Sequence, residues 1–387
     1  MNTPENRRQS VELADIFGRY GQDYLSSHRL CKDQRRSFQA ITNCRTQALG
    51  GHIERCDGCR YERHAYNSCR NRHCPKCQYK RQQEWAEKLS AHLPAGGYYH
   101  LVFTVPSVLH KLFYINQKVC YGLLFKSAAQ ALKQVGDNPE FLGARTGSVA
   151  VLHTWGQALT YHPHVHMIVP AGGLSQDQTE WVRAGKKFFL PVRALSKIYR
   201  AIFCKQLEQY IEQKQVNRPN DTDDFVSFKK KLYEKDWNVY LKRARGGANA
   251  VVQYLARYTH RVAISNSRLL SMENGKVEFY WKDYRKNGGR QVMALDATEF
   301  IQRFLMHVLP NGFYKVRYYG ILSSVNGEKL AIVRYLTDPF GTGPAKISIE
   351  GKDIKKGNKA APLSLCPKCK KGRMVVIKPT LIKQSPP

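Results

Sequence analysis

Acidic side chains are scarce in this 387-residue chain: 30 Asp and Glu stand against 62 Lys and Arg, a formal balance of +32. Solubility does not require so large an excess, which suits a polyanionic partner, although charge alone does not separate DNA from RNA or an anionic membrane surface. Long apolar runs are also missing. LVFTVPSVL (101–109) and AVVQYLARY (250–258) are too short or too interrupted by polar residues to span a bilayer. The opening MNTPENRRQSVELADIFGRY has no apolar stretch of signal-peptide length, so a cytoplasmic location with no membrane partner is expected. There is no GxxxxGK[ST] loop, since GEKL (327–330) and GTGPAK (341–346) fail its spacing, which excludes a built-in motor of the P-loop type. Cysteine is sparse in the long middle of the chain, which holds only Cys120 and Cys204, whereas seven cysteines crowd between Cys31 and Cys77. Such clustering points to metal ligation in a reducing compartment rather than to disulfides.

At 42% apolar residues the chain can bury at least one substantial core, and no internal repeat or low-complexity tract interrupts it. Helix is expected over much of 10–49, ended by Gly50-Gly51, then short ligand-rich turns to Cys77 and a helix closed by Pro94. YYHLVFTVP (98–106) predicts a strand, and a helical tract follows from about 107 to 135. Two alternating segments, 148–157 and 163–169, read as a hairpin. Helices are expected at 192–215, 228–243, 249–262 and 298–308, with short strands near 276–282, 291–295 and 314–322. The mixture is α+β. The expected division is an N-terminal helical and ligand-rich unit (1–94), a central unit (95–305) with a helical insertion at about 175–248, and a C-terminal region (306–387).

Cys56-x-x-Cys59 and Cys74-x-x-Cys77 are two knuckles fourteen residues apart, a spacing that wraps four thiolates around one tetrahedral zinc. Cys44, His52, Cys69 and His73 supply a possible second zinc set, with His64 as a competitor. Among the intervening basic residues, Arg70, Arg72 and Lys76 are candidate phosphate contacts. A third knuckle, Cys366-Pro-Lys-Cys369, stands alone, and a third zinc there needs ligands from His307, Cys31 or another chain.

HPHVH (162–166) is the most informative run. On a strand, His164 and His166 share one face while Val165 packs on the other, so the pair can hold one divalent ion, and Gln157 on the preceding strand can add a neutral oxygen. Open coordination positions let such an ion polarise a phosphate oxygen. In QYLARYTHRVAI (253–264), Tyr254 and Tyr258 stand one helical turn apart, and a tyrosine phenolate attacking a phosphodiester leaves a covalent phosphotyrosine and a free 3′ hydroxyl. The alternatives are histidines that merely alternate on a solvent-facing strand and tyrosines that simply pack against the sheet.

Together CRTQALGGH, YNSCRNRHCPKCQ, HTWGQALTYHPHVHMIVPAGG, YLARYTHRVAISNSRL and FLMHVLPNGFYKVRYYG resemble the HUH-superfamily two-tyrosine transposases of rolling-circle insertion sequences, which carry an N-terminal zinc-binding domain. The resemblance runs from about residue 30 to about 320. It implies an HUH palm, a central antiparallel sheet with helices, preceded by a zinc-binding domain. His164 and His166, with Gln157 as the third polar ligand, would bind magnesium or manganese, and Tyr254 and Tyr258 would be the nucleophiles. Arg257, Arg261, Lys282 and Arg285 are further candidates for phosphate contact. The implied partners are single-stranded or hairpin-forming transposon ends and target DNA, with unwinding borrowed from a host helicase. A replication initiator or relaxase using the same site, and a non-catalytic zinc protein that only binds nucleic acid, are the competing readings.

Overall fold

The computed structural model describes residues 11–185, 190–219, 224–244, 247–259, 263–283, 288–338 and 364–380. Two helices come first, α1 (Leu13–Ser27) and α2 (Lys32–Thr42), followed by a hairpin of β1 (Gly51–Cys56) and β2 (Glu62–Tyr66), and then α3 (Pro75–His92). Pro75 occupies the first turn of α3, where a missing N–H costs nothing. Next come β3 (Tyr98–Thr104), α4 (His110–Ile115), α5 (Gln117–Asp137), β4 (Gly147–Trp155), β5 (Tyr161–Pro170), β6 (Gly172–Leu174) and β7 (Trp181–Arg183). They are followed by α6 (Val192–Glu212), α7 (Phe225–Tyr233), β8 (Val239–Arg243), α8 (Gly247–Thr259), β9 (Leu269–Glu273), β10 (Lys276–Asp283) and β11 (Gly289–Asp296). The last described elements are α9 (Ala297–Leu305), β12 (Val316–Gly320), α10 (Gly327–Thr337) and β13 (Met374–Thr380).

The architecture is mixed α+β. Its centre is an antiparallel five-stranded sheet of order β12-β4-β5-β3-β8. Period-two alternation sorts the strands into two faces. Leu101, Phe103, Ala150, Leu152, Val165 and Met167 point into a core closed by α5 and α6, through residues such as Leu124, Ala128, Tyr199 and Phe203. Tyr98, Val149, Val151 and Ile168 lie on the other face, covered by Val251, Val252, Leu255 and Ala256 of α8 and by Ala86 and Leu89 of α3. A third cluster joins α1, α2 and α9 to the β9-β10-β11 meander, with Phe17 stacked on Phe38 at 4.8 Å and edge-on to Phe304 at 5.5 Å. Asn274 and Gly275 both adopt positive φ at the β9–β10 turn, the conformation a tight hairpin demands.

Several expectations change. The segment 228–243 is not one helix: α7 ends at Tyr233, and VYLKR becomes edge strand β8, whose backbone finds its partners on β3. The stretch 175–248 is therefore not purely a helical insertion, because it contributes that strand to the central sheet. The turns expected between His52 and Cys77 include the β1–β2 hairpin. Residues after 305 do not form one unit either. β12 extends the central sheet beside β4, whereas β13 pairs with β1 near the other end of the chain.

Candidate active site and metal centres

β4 and β5 build the first site. His153 lies directly across from His164, and Val151 across from His166, so the three histidines share the face that α8 covers further along. Ring centroids are separated by 5.2 Å (His153–His164), 4.3 Å (His153–His166) and 4.8 Å (His164–His166), and one nitrogen from each lies within 4.8 Å of the others. Nδ1 of His164 donates to its neighbour's carbonyl, His162 O, at 2.6 Å, which fixes the tautomer and leaves Nε2 with a free lone pair. His166 Nδ1 is 2.7 Å from His100 Nε2 on β3, a contact that orients the His166 ring. Burial pushes His164 down to about 3 and His100 to about 4, and holds His166 well below the usual imidazole range. All three are therefore neutral near pH 7, the form that binds metal.

His153 was missed in the sequence. The sequence places Gln157 on the strand before HPHVH, but β4 ends at Trp155 and Gln157 lies in the turn that Gly156 and Thr160 close. Its backbone carbonyl accepts from Arg268 Nη2 at 2.6 Å. Cross-strand register with His164 is the signal that identifies His153, and it requires the correct turn length. Thr104 and Phe103 of β3 flank β5, opposite His164 and Val165. Tyr254 and Tyr258 lie on α8, four residues apart; the side chains of both, and of Arg257, are outside the described structure. Arg261 and Arg285 lie outside the described residues altogether, and Lys282 is exposed on β10.

The cysteines divide differently from the sequence expectation. Cys74 and Cys77 join Cys44 and Cys69, while Cys56 and Cys59 join Cys366 and Cys369. In the first cluster, Cys77 Sγ lies 3.5 Å from Cys44 Sγ and 3.6 Å from Cys69 Sγ. These are the sulfur–sulfur edges of a tetrahedron with bonds of about 2.3 Å. Hydrogen bonds from Cys69 and Cys74 hold the Cys44 thiol down to about 2, and Cys44 in turn pushes Cys69 up to about 12. Thiols crowded this closely share a negative charge that a cation neutralises.

The two histidines proposed for a second zinc have other partners. His52 Nε2 contacts Glu54 Oε1 at 3.2 Å. His73 is buried: its Nε2 accepts from the Leu309 N–H at 3.1 Å, and its Nδ1 lies 3.1 Å from both Ser37 Oγ and Asn71 Oδ1. Nor does the C-terminal knuckle use His307 or Cys31. His307 is buried between Thr154 Oγ1 and the Leu159 carbonyl, and Cys31 is exposed at the start of α2.

Two of the expected phosphate contacts are also committed elsewhere. Arg72 donates to the carbonyls of Phe313 (2.5 Å) and Pro310 (3.0 Å), and Lys76 pairs with Glu12. Arg70 stays exposed. It lines a groove of about 540 Å³ with Arg45, Arg63, His64, Tyr66 and Asn67, a basic and aromatic surface of the kind that holds nucleic acid.

Among the described residues no helix is long and apolar enough to cross a membrane. The family description "Transposase zinc-binding domain" matches residues 16–105, and "Putative transposase" matches 147–329. The chain is 43% identical over 380 residues to the "Putative transposase y4qJ" of Sinorhizobium fredii, covering 96% of each chain. It is 29% identical over 285 residues to the transposase for insertion sequence element IS801 of Pseudomonas savastanoi pv. phaseolicola, covering 73% of this chain and 68% of that one. No solved structure matches. A three-histidine face on an antiparallel sheet, a four-cysteine cluster inside the zinc-binding match and 43% identity to a bacterial relative over nearly the full length lead to one conclusion: the chain belongs to the HUH-type, zinc-containing transposases.

Proposed function

We propose that this transposase nicks and rejoins single-stranded DNA through a covalent 5′-phosphotyrosine. The observation that carries the reading is the convergence of His153, His164 and His166 on the sheet face along which α8, the helix of Tyr254 and Tyr258, is seated. The donor set fits a divalent ion, since burial keeps His164 and His166 neutral near pH 7 and each has its Nδ1 engaged. Magnesium or manganese bound there would polarise a non-bridging oxygen of the scissile phosphate, and the all-nitrogen set favours manganese, because magnesium prefers oxygen ligands. The protein's own work is positional. The sheet fixes the imidazoles, His100 and the His162 carbonyl orient them, and α8 carries the nucleophiles past them. Attack by a tyrosine Oη forms the O–P bond as the 3′ oxygen leaves and takes a proton. Reversal by that hydroxyl, or by another strand's, restores a phosphodiester without an external energy source. A phenol ionises near pH 10 when unperturbed, so a cation must assist, and Arg257 and Arg261 are the nearest in sequence.

The implied partners are single-stranded or hairpin-extruded transposon ends and target DNA, with host proteins providing the unwinding and the reducing cytoplasm keeping the thiols free. The Cys44, Cys69, Cys74 and Cys77 cluster holds structural zinc in this reading, anchoring the start of α3, whose later turns pack on α8. The deciding experiment incubates a labelled oligonucleotide with protein and Mn²⁺ or Mg²⁺ and maps the trapped peptide after denaturation. Attachment at Tyr254 or Tyr258 is expected, with each single Phe variant keeping some adduct and the double variant none, while single-strand binding persists. An adduct on any other residue, or equal yield from the double variant, overturns the assignment.

A further inference from the structure

The second cysteine cluster lies outside the reach of either family match alone. Cys56 and Cys59 fall inside the zinc-binding match, but Cys366 and Cys369 lie beyond residue 329, where the transposase match ends. Cys56 Sγ is 3.7 Å from Cys369 Sγ, and Cys59 Sγ is 3.6 Å from Cys366 Sγ; all four sulfurs lie within 4.8 Å of one another. Those separations are too long for a covalent S–S bond of about 2.05 Å and close to the roughly 3.8 Å edge of a tetrahedron with 2.3 Å bonds.

The two knuckles are built alike. In each, the residue after the second cysteine turns left-handed (Arg60 φ 59°, Lys370 φ 57°), and its N–H returns to the carbonyl of the first cysteine (3.1 and 2.9 Å). In each, a backbone N–H also points at sulfur: Cys59 N–H to Cys56 Sγ and Gly372 N–H to Cys369 Sγ, both at 3.3 Å. Amide donors of this kind stabilise thiolates rather than thiols. The loops interlock as well. A Cβ at Gly372 would stand 2.5 Å from Cys56 Sγ, so only glycine lets the C-terminal loop close over the N-terminal one. Arg373 N–H donates to Asp57 Oδ1 at 2.7 Å, and β13 continues from there as a strand against β1. In Cys74-Pro-Lys-Cys77 the N–H of Gln78 likewise returns to the Cys74 carbonyl, at 3.1 Å, but the chain continues into helix α3 without the left-handed residue.

We propose that Cys56, Cys59, Cys366 and Cys369 form a second tetrathiolate zinc site, a ribbon that clasps the C-terminal segment to the N-terminal module. The metal bridges residues more than three hundred positions apart. It replaces a hydrophobic core that the ribbon lacks, since the buried residues there are Cys56, Cys366 and Met374. The basic groove is lined by β2, the opposite edge of this sheet from β13.

The test is metal counting on the full-length protein purified under reducing conditions, with zinc content measured by mass spectrometry and cobalt replacement read by its tetrathiolate absorption. Two tetrathiolate ions per chain are expected. Cys366→Ser with Cys369→Ser should drop the count to one, as should Cys44→Ser with Cys69→Ser. Alkylation of unmutated protein guards against misfolded variants: Cys366 and Cys369 should be shielded until a chelator is added, then react. A single tetrathiolate ion in the parent protein, a count unchanged by the C-terminal pair, or a Cys56–Cys369 disulfide in its place would overturn the proposal. None of these outcomes depends on DNA cleavage.

Discussion

The histidine face and the cysteine ribbon both gather metal ligands, and they hold them by opposite means. His153, His164 and His166 sit on strands buried on both sides, with hydrophobic clusters above and below that exist without any ion. In the ribbon, β13 leaves Val375, Val376 and Ile377 exposed, and little but the sulfurs is buried. The face is preformed by its apolar packing, whereas the ribbon proposed above would be assembled by its ion. Backbone hydrogen bonds alone do not close that gap, because each contributes only about 1 kcal/mol net.

The largest effect should come from removing metal. Chelation, or Cys56→Ser, is expected to strip amide-exchange protection from β1, β2 and β13 while leaving β3, β4 and β5 protected, since structural zinc supplies about 10–16 kcal/mol in small zinc folds. Simultaneous loss in both regions would show that they are one cooperative unit and would break the contrast. Next in size is Leu255→Ala, which opens a cavity between α8 and the sheet and should cost about 2–5 kcal/mol in denaturant titration. Met374→Ala in metal-loaded protein should cost clearly less; an equal cost would mean that the ribbon has a real apolar core.

Arg72→Gln should lower stability by about 1.5–3 kcal/mol, since it releases the Pro310 and Phe313 carbonyls, without changing the salt dependence of single-strand binding. Weaker DNA binding at unchanged stability would return Arg72 to the phosphate contacts.

The smallest and most gradual effect is on pH dependence. Burial lowers His307 to about 4 and holds His73 well below the usual range, so their contribution is complete above the unfolded value near 6.5. It is lost as pH falls from about 6.5 towards 4, because the unfolded chain takes up protons that the folded one refuses. His307→Gln should flatten that part of the stability curve; an unchanged slope would place the acid sensitivity elsewhere.

Much of the metal chemistry was legible because it is local. HPHVH declares a paired face as soon as its strand is recognised, and four-residue spacing aligns two tyrosines on any helix. His153 is not legible in this way, because its place opposite His164 depends on where a turn closes, and strand ends are poorly marked in sequence. The edge strand at 239–243 read as helix because its side chains alternate only against a neighbour that the sequence does not name.

By itself, then, the sequence determined the ligand types, the basic surface, the α+β character and the order of the chemical parts. Tertiary structure alone decided which cysteine knuckle meets which, that the C-terminal strand returns to the first hairpin, and that Arg72, Lys76, His52 and His73 are spent on internal contacts. The reason is physical. Residue type and short spacing fix what a side chain can do, whereas two knuckles of equal chemistry are distinguished only by backbone turn and by the close approach that Gly372 allows.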